Sequence, residues 1–300
     1  MTQTAHDTGT DTSNDTSKDT SNDKATAAAS GMSATERFKT DKRAGSGVPK
    51  ERVDLLAREV LDGIHATIRR HKVTYDEYNA LKAWLIKVGD DGEWPLFLDV
   101  WVEHVIEEVA TEHREGSKGT IEGPYYVPDA PEQGANGSVP MRPDEGGVQL
   151  TWTGQVTSTD GSPLGGAKVE LWHADNDGFY SQFAPGLPEW NLRATFTTDD
   201  QGRFEIHTVR PAPYQIPTEG ACGRLIDAAG WHAWRPAHLH VKVSAPGHEL
   251  LTAQLYFPGD EHNDDDIASA VKPELLLAPQ PTESGESVSY GFVLDPSQER

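Results

Sequence analysis

Apolar residues early in the chain recur at steps of three and four positions, which is the period of an amphipathic helix. The first such stripe consists of Val53, Leu56, Val60, Ile64 and Ile68. It predicts a helix near residues 51–71. Thr74 and Glu77 have the spacing of a capping box. The stripe that follows them predicts a second helix near residues 75–88, with Gly89 as its C-terminal stop.

A third apolar stripe begins after Pro95 and predicts a third helix that ends before Gly116. Residues 49–118 are therefore predicted to form an N-terminal helical domain. A unit of this size is small for a stable core of its own, so its apolar faces are expected to be buried against a partner. The simplest such partner is a second copy of the chain, which makes the helical domain a candidate dimerisation domain.

From residue 119 onwards the pattern changes to alternation of apolar and polar positions, which is the period of a half-buried strand. The predicted strands cover residues 148–156, 167–173, 203–209, 234–243, 250–257 and 290–294. Turn sequences separate them, namely Asp160-Gly161, Asn176-Asp177-Gly178 and Asp200-Gln201-Gly202. Because no helical stripe is interleaved with these strands, we predict a mainly β protein in which residues 119–300 form a β-sandwich.

The first 48 residues have a different composition from the rest. They contain near-repeats of Asp, Thr, Ser and Asn and almost no large apolar side chain. Such a segment cannot bury enough apolar surface to offset its ordering entropy, so we predict a disordered tail over residues 1–48.

Charge and cysteine content exclude several classes of function. The 300 residues carry a formal net charge of -22, from 26 basic and 48 acidic side chains, which opposes binding to nucleic acid or to an anionic membrane. Cys222 is the one cysteine, so an intramolecular disulfide and a cysteine-rich zinc site are both excluded. Neither a signal-peptide pattern nor an apolar run of about 18 residues is present, so we expect a cytoplasmic protein without membrane insertion.

The clearest candidate for chemistry lies on the strand predicted at residues 234–243. His238 and His240 stand at positions i and i+2, so both imidazoles point to one face of that strand. Arg235 precedes them. This is metal-ligand spacing for a sheet, although histidines on a strand can also be ordinary hydrogen-bonded residues.

Further ligands of such a metal could come from histidines or carboxylates. A third histidine would suggest zinc or non-haem Fe(II), and the candidates are His173, His207, His232 and His248. One carboxylate would complete a two-histidine, one-carboxylate set, and the candidates are Asp175, Asp177 and Glu219. These carboxylates also suit ordinary turn roles.

Tyrosine is the third option, because a phenolate is a hard anionic oxygen that favours ferric iron. Tyr180 and Tyr214 both fall in predicted loops at strand exits, where chemistry tends to be placed. The competing interpretation is that each packs in the core with its hydroxyl hydrogen-bonded.

Four short motifs together resemble the intradiol ring-cleavage dioxygenases, and among them the catechol 1,2-dioxygenases. They are Gly178-Phe179-Tyr180-Ser181, Ala212-Pro213-Tyr214, Arg235-Pro236-Ala237-His238-Leu239-His240 and Thr252-Ala253-Gln254. The likeness extends from the helices near residue 51 to about Leu277 and includes residues 120–127 at the domain junction.

The resemblance implies a non-haem Fe(III) centre in the β-sandwich domain. Its ligands would be Tyr180, Tyr214, His238 and His240, with Tyr214 and His240 axial and Tyr214 also serving as a base. Arg235 would stabilise charge on the substrate ring, and Gln254 would hydrogen-bond a ligand or the oxygenated intermediate. The implied reaction, in aromatic-compound degradation, is cleavage of catechol by O2 to cis,cis-muconate.

The resemblance leaves the ring substituents open. The alternatives to catechol are a chlorocatechol or hydroxyquinol, and the alternative from a different class is a non-catalytic β-sandwich binding module. The implied pocket walls are Ile121, Pro124, Tyr125, Ile267 and Ala268. Tyr125 often corresponds to leucine in such enzymes and Ile267 to a larger aromatic residue. The resemblance also implies a homodimer formed through the helical domain, with phospholipid acyl chains in an apolar tunnel there.

Overall fold

The computed structural model describes residues 47–297. The predicted tail, residues 1–48, therefore lies outside the described residues except for its last two positions. The chain divides into two compact units, Met1–Lys72 and Val73–Arg300. The domain boundary near residue 118 stays a prediction.

Helix α1 (Lys50–His71) lies in the first unit and confirms the helix predicted near residues 51–71. It ends at Lys72, which adopts a left-handed conformation and donates its backbone N–H to the Ile68 carbonyl. Arg69, Arg70 and His71 occupy its last turn, where cations interact favourably with the helix dipole. Its residues are all exposed, including the apolar stripe.

The second unit begins with α2 (Tyr75–Asp90). The capping box is confirmed, since the Glu77 N–H donates to Thr74 Oγ1 at 3.3 Å and the Thr74 N–H donates to Glu77 Oε2 at 2.7 Å. Gly89 does not end the helix as predicted. The helix runs to Asp90, and the left-handed residue comes at Gly92, with φ 73°.

The third predicted helix is two helices, α3 (Trp94–Trp101) and α4 (Glu103–Thr111). The break lies at Val102, with φ −128° and ψ −36°. The two pieces pack differently, because α3 buries Leu96 and Val100 whereas no α4 residue is buried. The interruption at Val102 thus separates a helix with buried residues from a helix without any.

The rest of the unit is the predicted β-sandwich, with one further helix that was not predicted. The strands are β1 (Glu132–Gln133), β2 (Asn136–Ser138), β3 (Gln149–Ser158), β4 (Lys168–Trp172), β5 (Arg193–Thr197), β6 (Arg203–Val209), β7 (Tyr214–Gln215), β8 (Trp234–Arg235), β9 (His238–Ser244), β10 (Leu251–Tyr256), β11 (Gln280–Pro281), β12 (Glu286–Ser289) and β13 (Phe292–Leu294). Helix α5 (Ala221–Ala229) lies between β7 and β8, and a 3-10 turn covers Pro273–Leu275.

Two sheets make up the sandwich. One has the order β1-β5-β4-β9-β10, and the other has the order β11-β12-β3-β6-β2 with β13 also paired to β3. Fully buried residues of both sheets, such as Trp152 and Ile206 from one and Phe196 and Leu239 from the other, belong to a single core. Burying a side chain of this size stabilises the fold by about 1.5–3 kcal/mol. A two-stranded pair, β7 with β8, lies apart from both sheets.

The strands predicted from alternation are found within a few residues of their predicted bounds, but strands β1, β2, β5, β7, β11 and β12, helix α5 and the 3-10 turn were not predicted. Strand β5 has four buried residues in succession, so it lacks the alternation of a half-buried strand. Strand β12 and helix α5 are short elements of four and nine residues. The predicted strand at residues 234–243 is divided, because Pro236 and Ala237 separate β8 from β9.

Over residues 47–297, no helix is long and apolar enough to cross a membrane.

Candidate metal centre

The two histidines of the motif lie on β9, which pairs with β4 on one side and β10 on the other. Their ring Nε2 atoms are 3.0 Å apart, and both residues are buried. The Nδ1 atom of His238 lies 2.7 Å from the Pro236 carbonyl, to which a protonated Nδ1 donates. That bond leaves the Nε2 lone pair of His238 directed into the site. The ring of His240 stacks on Trp172, with centroids 4.8 Å apart and planes 12° apart.

The two tyrosines reach the same point from other elements. Tyr180 lies between β4 and β5, and Tyr214 lies on β7, opposite Arg235 of β8. The Tyr180 hydroxyl oxygen lies 3.5 Å from that of Tyr214, 3.5 Å from His238 Nε2 and 3.0 Å from His240 Nε2. Both tyrosines are buried.

These separations fit four ligands of one metal ion. Metal bonds of about 2.0–2.1 Å to nitrogen and oxygen place neighbouring ligand atoms roughly 2.9–3.4 Å apart. Two phenol oxygens and two imidazole nitrogens, without a cysteine or carboxylate, make a donor set that suits a hard, oxygen-seeking cation such as ferric iron. The residues present therefore fit the centre that the resemblance implies.

The ionisation of the four groups is governed by their burial. Desolvation, with the charge of Arg235 second, lowers the pKa of His238 to about 3, so this imidazole is neutral. Desolvation, followed by the effect of His238, holds the pKa of His240 well below its usual value. Desolvation likewise raises the pKa values of Tyr180 and Tyr214, so both are neutral phenols without a cation. A bound cation would favour their ionisation and turn both into anionic ligands.

The histidines and carboxylates weighed as alternative ligands do not form a metal-binding group with the histidine pair. Within the part of the chain that the structure describes, no group of three or more histidines, cysteines and carboxylates could hold a metal ion. His173 is buried nearby, but its ring nitrogens lie 2.7 Å from the Ala174 carbonyl and 2.8 Å from Thr208 Oγ1. Asp175 accepts from the Asp177 and Phe179 backbone N–H groups at 3.0 and 2.9 Å, which is a turn role.

The other candidate metal ligands have different neighbours. His207 is on β6 and contacts Glu205, His232 contacts Asp265, and His248 Nδ1 lies 3.1 Å from the Pro246 carbonyl. Glu219 lines the cleft described below.

Arg235 and Gln254 are buried beside the histidines and are bonded to each other. Arg235 Nη2 donates to Gln254 Oε1 at 2.9 Å, and Arg235 Nη1 lies 3.3 Å from His238 Nε2. Gln254 Nε2 donates to the Ile121 carbonyl at 3.0 Å, and the Tyr256 hydroxyl donates to Gln254 Oε1 at 2.8 Å. Both polar ends of the glutamine are therefore already occupied by protein groups.

Sequence reasoning missed Asp266, Tyr256 and Glu103. Asp266 pairs with Arg235, and Glu103 Oε1 accepts the Glu122 N–H at 2.9 Å, which ties α4 to the segment that carries Ile121. The available signal for Asp266 was chemical: an arginine expected in a buried site needs a carboxylate, and Asp266 directly precedes the predicted wall residue Ile267.

A cleft of about 560 Å³ opens at the tyrosine side of the site. It is lined by Tyr125, Gly178, Phe179, Tyr180, Phe183, Ala184, Pro185, Tyr214, Gln215, Ile216, Pro217, Thr218 and Glu219. The Tyr125 ring stacks on Tyr180, with centroids 4.4 Å apart. Of the five predicted wall residues, Tyr125 thus lines this cleft.

The other four predicted wall residues are not among those lining the cleft. Ile121 and Ala268 are joined to the site by backbone hydrogen bonds, to Gln254 and Asp266 respectively. Pro124 and Ile267 are partly buried, and Ile267 packs against the core.

Known proteins match nearly all of the described chain. The family model described as Dioxygenase matches residues 121–296, and the one described as Catechol dioxygenase N terminus matches residues 50–118. A chlorocatechol 1,2-dioxygenase from Rhodococcus opacus is 40% identical over 250 residues, which cover 81% of this chain and 97% of the relative. A catechol 1,2-dioxygenase from Acinetobacter baylyi is 36% identical, over 78% of this chain and 80% of the relative.

Solved structures agree with the sequence matches. The crystal structure of 3-chlorocatechol 1,2-dioxygenase from Rhodococcus opacus 1CP has a TM-score of 0.79 and 44% identity, and the match covers 83% of this chain and 100% of that one. Both the helical and the β-rich parts of the chain are thus accounted for by one group of enzymes. The chain belongs to the intradiol ring-cleavage dioxygenase family.

Proposed function

We propose that the protein is an Fe(III)-dependent dioxygenase that opens the ring of a catechol between its two hydroxyl-bearing carbons with O2. The proposal is supported mainly by the proximity of four potential ligand atoms. Tyr180 Oη lies within 3.0–3.5 Å of Tyr214 Oη, His238 Nε2 and His240 Nε2. Tyr180, Tyr214, His238 and His240 would hold the iron. When bound, iron supplies a Lewis acid that ionises a catechol and activates it toward O2.

Tyr214 is the proposed acceptor of a substrate proton. Burial raises the pKa of Tyr214, so its phenolate would be a strong base. The residue also lines the cleft through which a substrate would arrive. Tyr214 thus combines access to the substrate with the basicity that deprotonation of a catechol hydroxyl requires.

Arg235 is the proposed stabiliser of negative charge on the ring. Its guanidinium is buried, and charge interactions are stronger in such a site than in water. Gln254 has both ends engaged, by Arg235 and by the Ile121 carbonyl. We therefore propose that Gln254 holds Arg235 and the segment that carries Ile121 in place. The resemblance had instead implied a hydrogen bond from Gln254 to a ligand or to the oxygenated intermediate.

A chlorocatechol is the substrate that we propose, with catechol as the second candidate. Support comes from the relatives named above, since the chlorocatechol enzyme matches over more of both chains than the catechol enzyme. The resemblance assigns Ile267 to the pocket wall, where a side chain smaller than an aromatic one would leave room for a ring substituent. The expected products are a chloro-substituted cis,cis-muconate and, from catechol, cis,cis-muconate.

The test combines colour with a substrate series. Tyrosinate-to-iron charge transfer should make the iron-loaded protein burgundy, and a protein that stays colourless after loading would indicate a non-catalytic binding module instead. Turnover would be compared for catechol, 3-chlorocatechol, 4-chlorocatechol and hydroxyquinol, with the products identified by mass spectrometry. A kcat/KM for both chlorocatechols well below that for catechol would reverse the order of the two candidates.

A pocket variant sharpens the choice of substrate. Ile267→Phe should lower kcat/KM for a chlorocatechol relative to catechol by about 10-fold, because a pocket contact of this size discriminates by about 1–3 kcal/mol. Equal losses for both substrates would show that residue 267 does not face the ring substituent.

We also propose that the protein is a homodimer formed through the helical domain of residues 49–118, with the β-sandwich of residues 119–300 as the catalytic domain. The exposed apolar stripe of α1 supports this proposal. Light scattering of the purified protein would give the mass in solution. Mass spectrometry of an organic extract would test for the phospholipid that the resemblance implies.

A further inference from the structure

Asp266 is a buried carboxylate that the proposed reaction has not yet used. It pairs with Arg235 through two parallel hydrogen bonds, from Nε to Oδ1 and from Nη2 to Oδ2, each 3.0 Å long. The two side chains are 4% and 2% exposed. A planar guanidinium held by both carboxylate oxygens has one orientation, because rotation about any of its torsions would break at least one bond.

The same carboxylate also holds the loop that carries two of the predicted wall residues. Oδ1 accepts the Ala268 N–H and Oδ2 accepts the Ala270 N–H, both at 3.2 Å. In addition, the Ile267 N–H donates to the Trp234 carbonyl, next to Arg235, at 3.2 Å. Asp266 therefore accepts four hydrogen bonds, two from the arginine and two from the loop, and connects one to the other.

This arrangement leaves one edge of Arg235 for other contacts. Nε and Nη2 are engaged by Asp266 and Gln254, whereas the contact of Nη1 is to His238 Nε2 at 3.3 Å. His238 donates its Nδ1 proton to the Pro236 carbonyl, so its Nε2 is the acceptor for Nη1. In the proposed centre that lone pair would serve the metal. The Nη1 edge would then be free to face a substrate ring.

We propose that Asp266 is a positioning residue that fixes the plane of Arg235, directs its Nη1 edge at the reacting ring, and couples that orientation to residues 267–270. The proposal rests on the proposed function, since it assigns Arg235 to charge stabilisation in ring cleavage. The hydrogen-bond partners of the Asp266 carboxylate are Arg235, Ala268 and Ala270, and none of the four proposed metal ligands is among them.

A merely structural ion pair would behave differently in steady-state kinetics. If Asp266 acts through Arg235, its replacement should lower kcat and leave KM nearly unchanged, because the arginine acts on charge that develops during the reaction. Its replacement should also have little further effect once Arg235 has been removed. A structural ion pair would instead lower the amount of folded, iron-loaded protein without changing kcat per iron.

The central variant is Asp266→Asn, which keeps the shape of the side chain but replaces one acceptor oxygen with an N–H donor. Asp265→Asn is the matched control, because Asp265 lies in the same loop, is 53% exposed and contacts His232 and His262. Per bound iron, D266N is expected to lose at least ~10-fold in kcat with KM for catechol within ~3-fold, whereas D265N stays within ~2-fold. The double variant R235A/D266N is expected within ~2-fold of R235A in kcat.

Asp266→Glu is the second variant, in case D266N does not fold at the assay temperature. It keeps the charge but displaces the carboxylate by one methylene, so it cannot span the arginine and both loop N–H groups at once. A fold-preserving D266E with a kcat at least ~10-fold below the parent enzyme supports the proposal, and an unchanged kcat overturns it.

A measurement in the metal-free chain keeps this test separate from the test of the proposed function. The Arg235 Nε–H resonance, assigned by its loss in Arg235→Lys, should exchange slowly with solvent in the parent chain and in D265N but not in D266N. Slow exchange in D266N would overturn the positioning role even in a chain without activity. If the iron-loaded parent cleaves neither the chlorocatechols nor catechol while the resonance behaves as expected, the proposed function fails and the positioning of Arg235 by Asp266 stands.

Discussion

The histidine half and the tyrosine half of the site are supported in different ways. His238 and His240 lie on β9, whose backbone is hydrogen-bonded to a neighbouring strand on each side. Tyr180 lies in a loop, and Tyr214 lies on a strand of two residues. The histidines are therefore placed by backbone pairing, which many sequences can provide, whereas the tyrosines need specific support.

Arg193 supplies much of that support for the Tyr180 loop. Its guanidinium donates to Ser181 Oγ at 2.8 Å, to the Ser181 carbonyl at 3.0 Å and to the Tyr125 carbonyl at 2.8 Å. These acceptors are all neutral, unlike the carboxylate that holds Arg235. We therefore expect the ligands on the sheet to tolerate changes around them, whereas those on the loops should depend on a few side chains and on one close backbone approach.

The largest expected effect follows from removing one ligand from either half. Tyr180→Phe and His238→Ala should each lose iron, the charge-transfer colour and at least ~10³-fold of the activity, because an incomplete ligand set cannot hold a buried cation. Metal analysis and the visible spectrum would measure this. Tyr126→Phe is the control, since the Tyr126 hydroxyl donates to Glu170 outside the cluster. Full iron content in one of these variants would show that the unchanged pair of ligands is enough to bind iron.

The next effect tests the close backbone approach in the tyrosine half. Gly178 has φ 86°, and a Cβ added there would lie 2.6 Å from the Tyr214 Cβ. Gly186 has the same φ but open space around it, so it is a matched control for the backbone strain alone. Gly186→Ala should cost about 1–2 kcal/mol of stability without a spectral change. Gly178→Ala should in addition displace Tyr214.

Displacement of Tyr214 would be read as a shifted charge-transfer band and a loss of about 10- to 100-fold in kcat, since misplacing a reacting group by about 1 Å costs about 10²-fold. If both variants keep the parent spectrum, the loop rearranges enough to avoid the clash. The position of Tyr214 would then not depend on the close approach of Gly178.

The same difference explains how much of the site the sequence could predict. The spacing of His238 and His240 predicts a shared face because the period of a strand is local. No local period connects Tyr180 to Tyr214, which lie 34 residues apart and meet only because the Tyr180 loop and β7 converge in the fold. Their loop positions made both tyrosines candidates, but only the resemblance joined them to the two histidines in one ligand set. Asp266 was missed for a related reason, since its partner lies 31 residues away.

The fold was predictable where one face of an element is buried and the other is not. Strand β6 (Arg203–Val209) alternates and was predicted with its observed bounds. Strand β5 (Arg193–Thr197) is buried on both faces and carries an arginine at its start, so neither alternation nor hydropathy marks it. That arginine is Arg193, the main support of the tyrosine half. The unpredicted strand thus carries the residue that the loop ligand needs.

A smaller effect is expected when Arg193 loses its planar head group. Arg193→Lys keeps the charge but cannot reach three acceptors in different directions, so buried carbonyl or hydroxyl oxygens lose their donors. The free energy of unfolding in denaturant should fall by about 2–3 kcal/mol. Arg203→Lys is the control, because Arg203 is 66% exposed and its ion pair with Asp199 is worth under about 1 kcal/mol. Equal losses of unfolding free energy in the two variants would show that Arg193 gives the Tyr180 loop no special support.

The smallest expected effect is the change in unfolding free energy per pH unit that protonation of the buried histidines causes in metal-free protein. Burial lowers the pKa of His173 to about 4 and, with Arg235 second, that of His238 to about 3. In the unfolded chain both histidines take up a proton near pH 6.5. As the pH falls below about 6.5, the unfolded state therefore binds more protons than the folded state, and the free energy of unfolding decreases.

The slope should be about 1.4 kcal/mol per pH unit for each such histidine, continuing down to about pH 4 for His173. Urea unfolding at several pH values between 7 and 4.5 would measure it. His173→Gln should lower the slope by one histidine's share, whereas His207→Gln, which removes a side chain that is 40% exposed, should leave it unchanged. Unchanged slopes in both variants would mean that His173 is protonated in the folded chain. The surroundings of the sheet that carries His238 and His240 would then accommodate a buried charge. Burial would no longer explain why the histidines stay neutral.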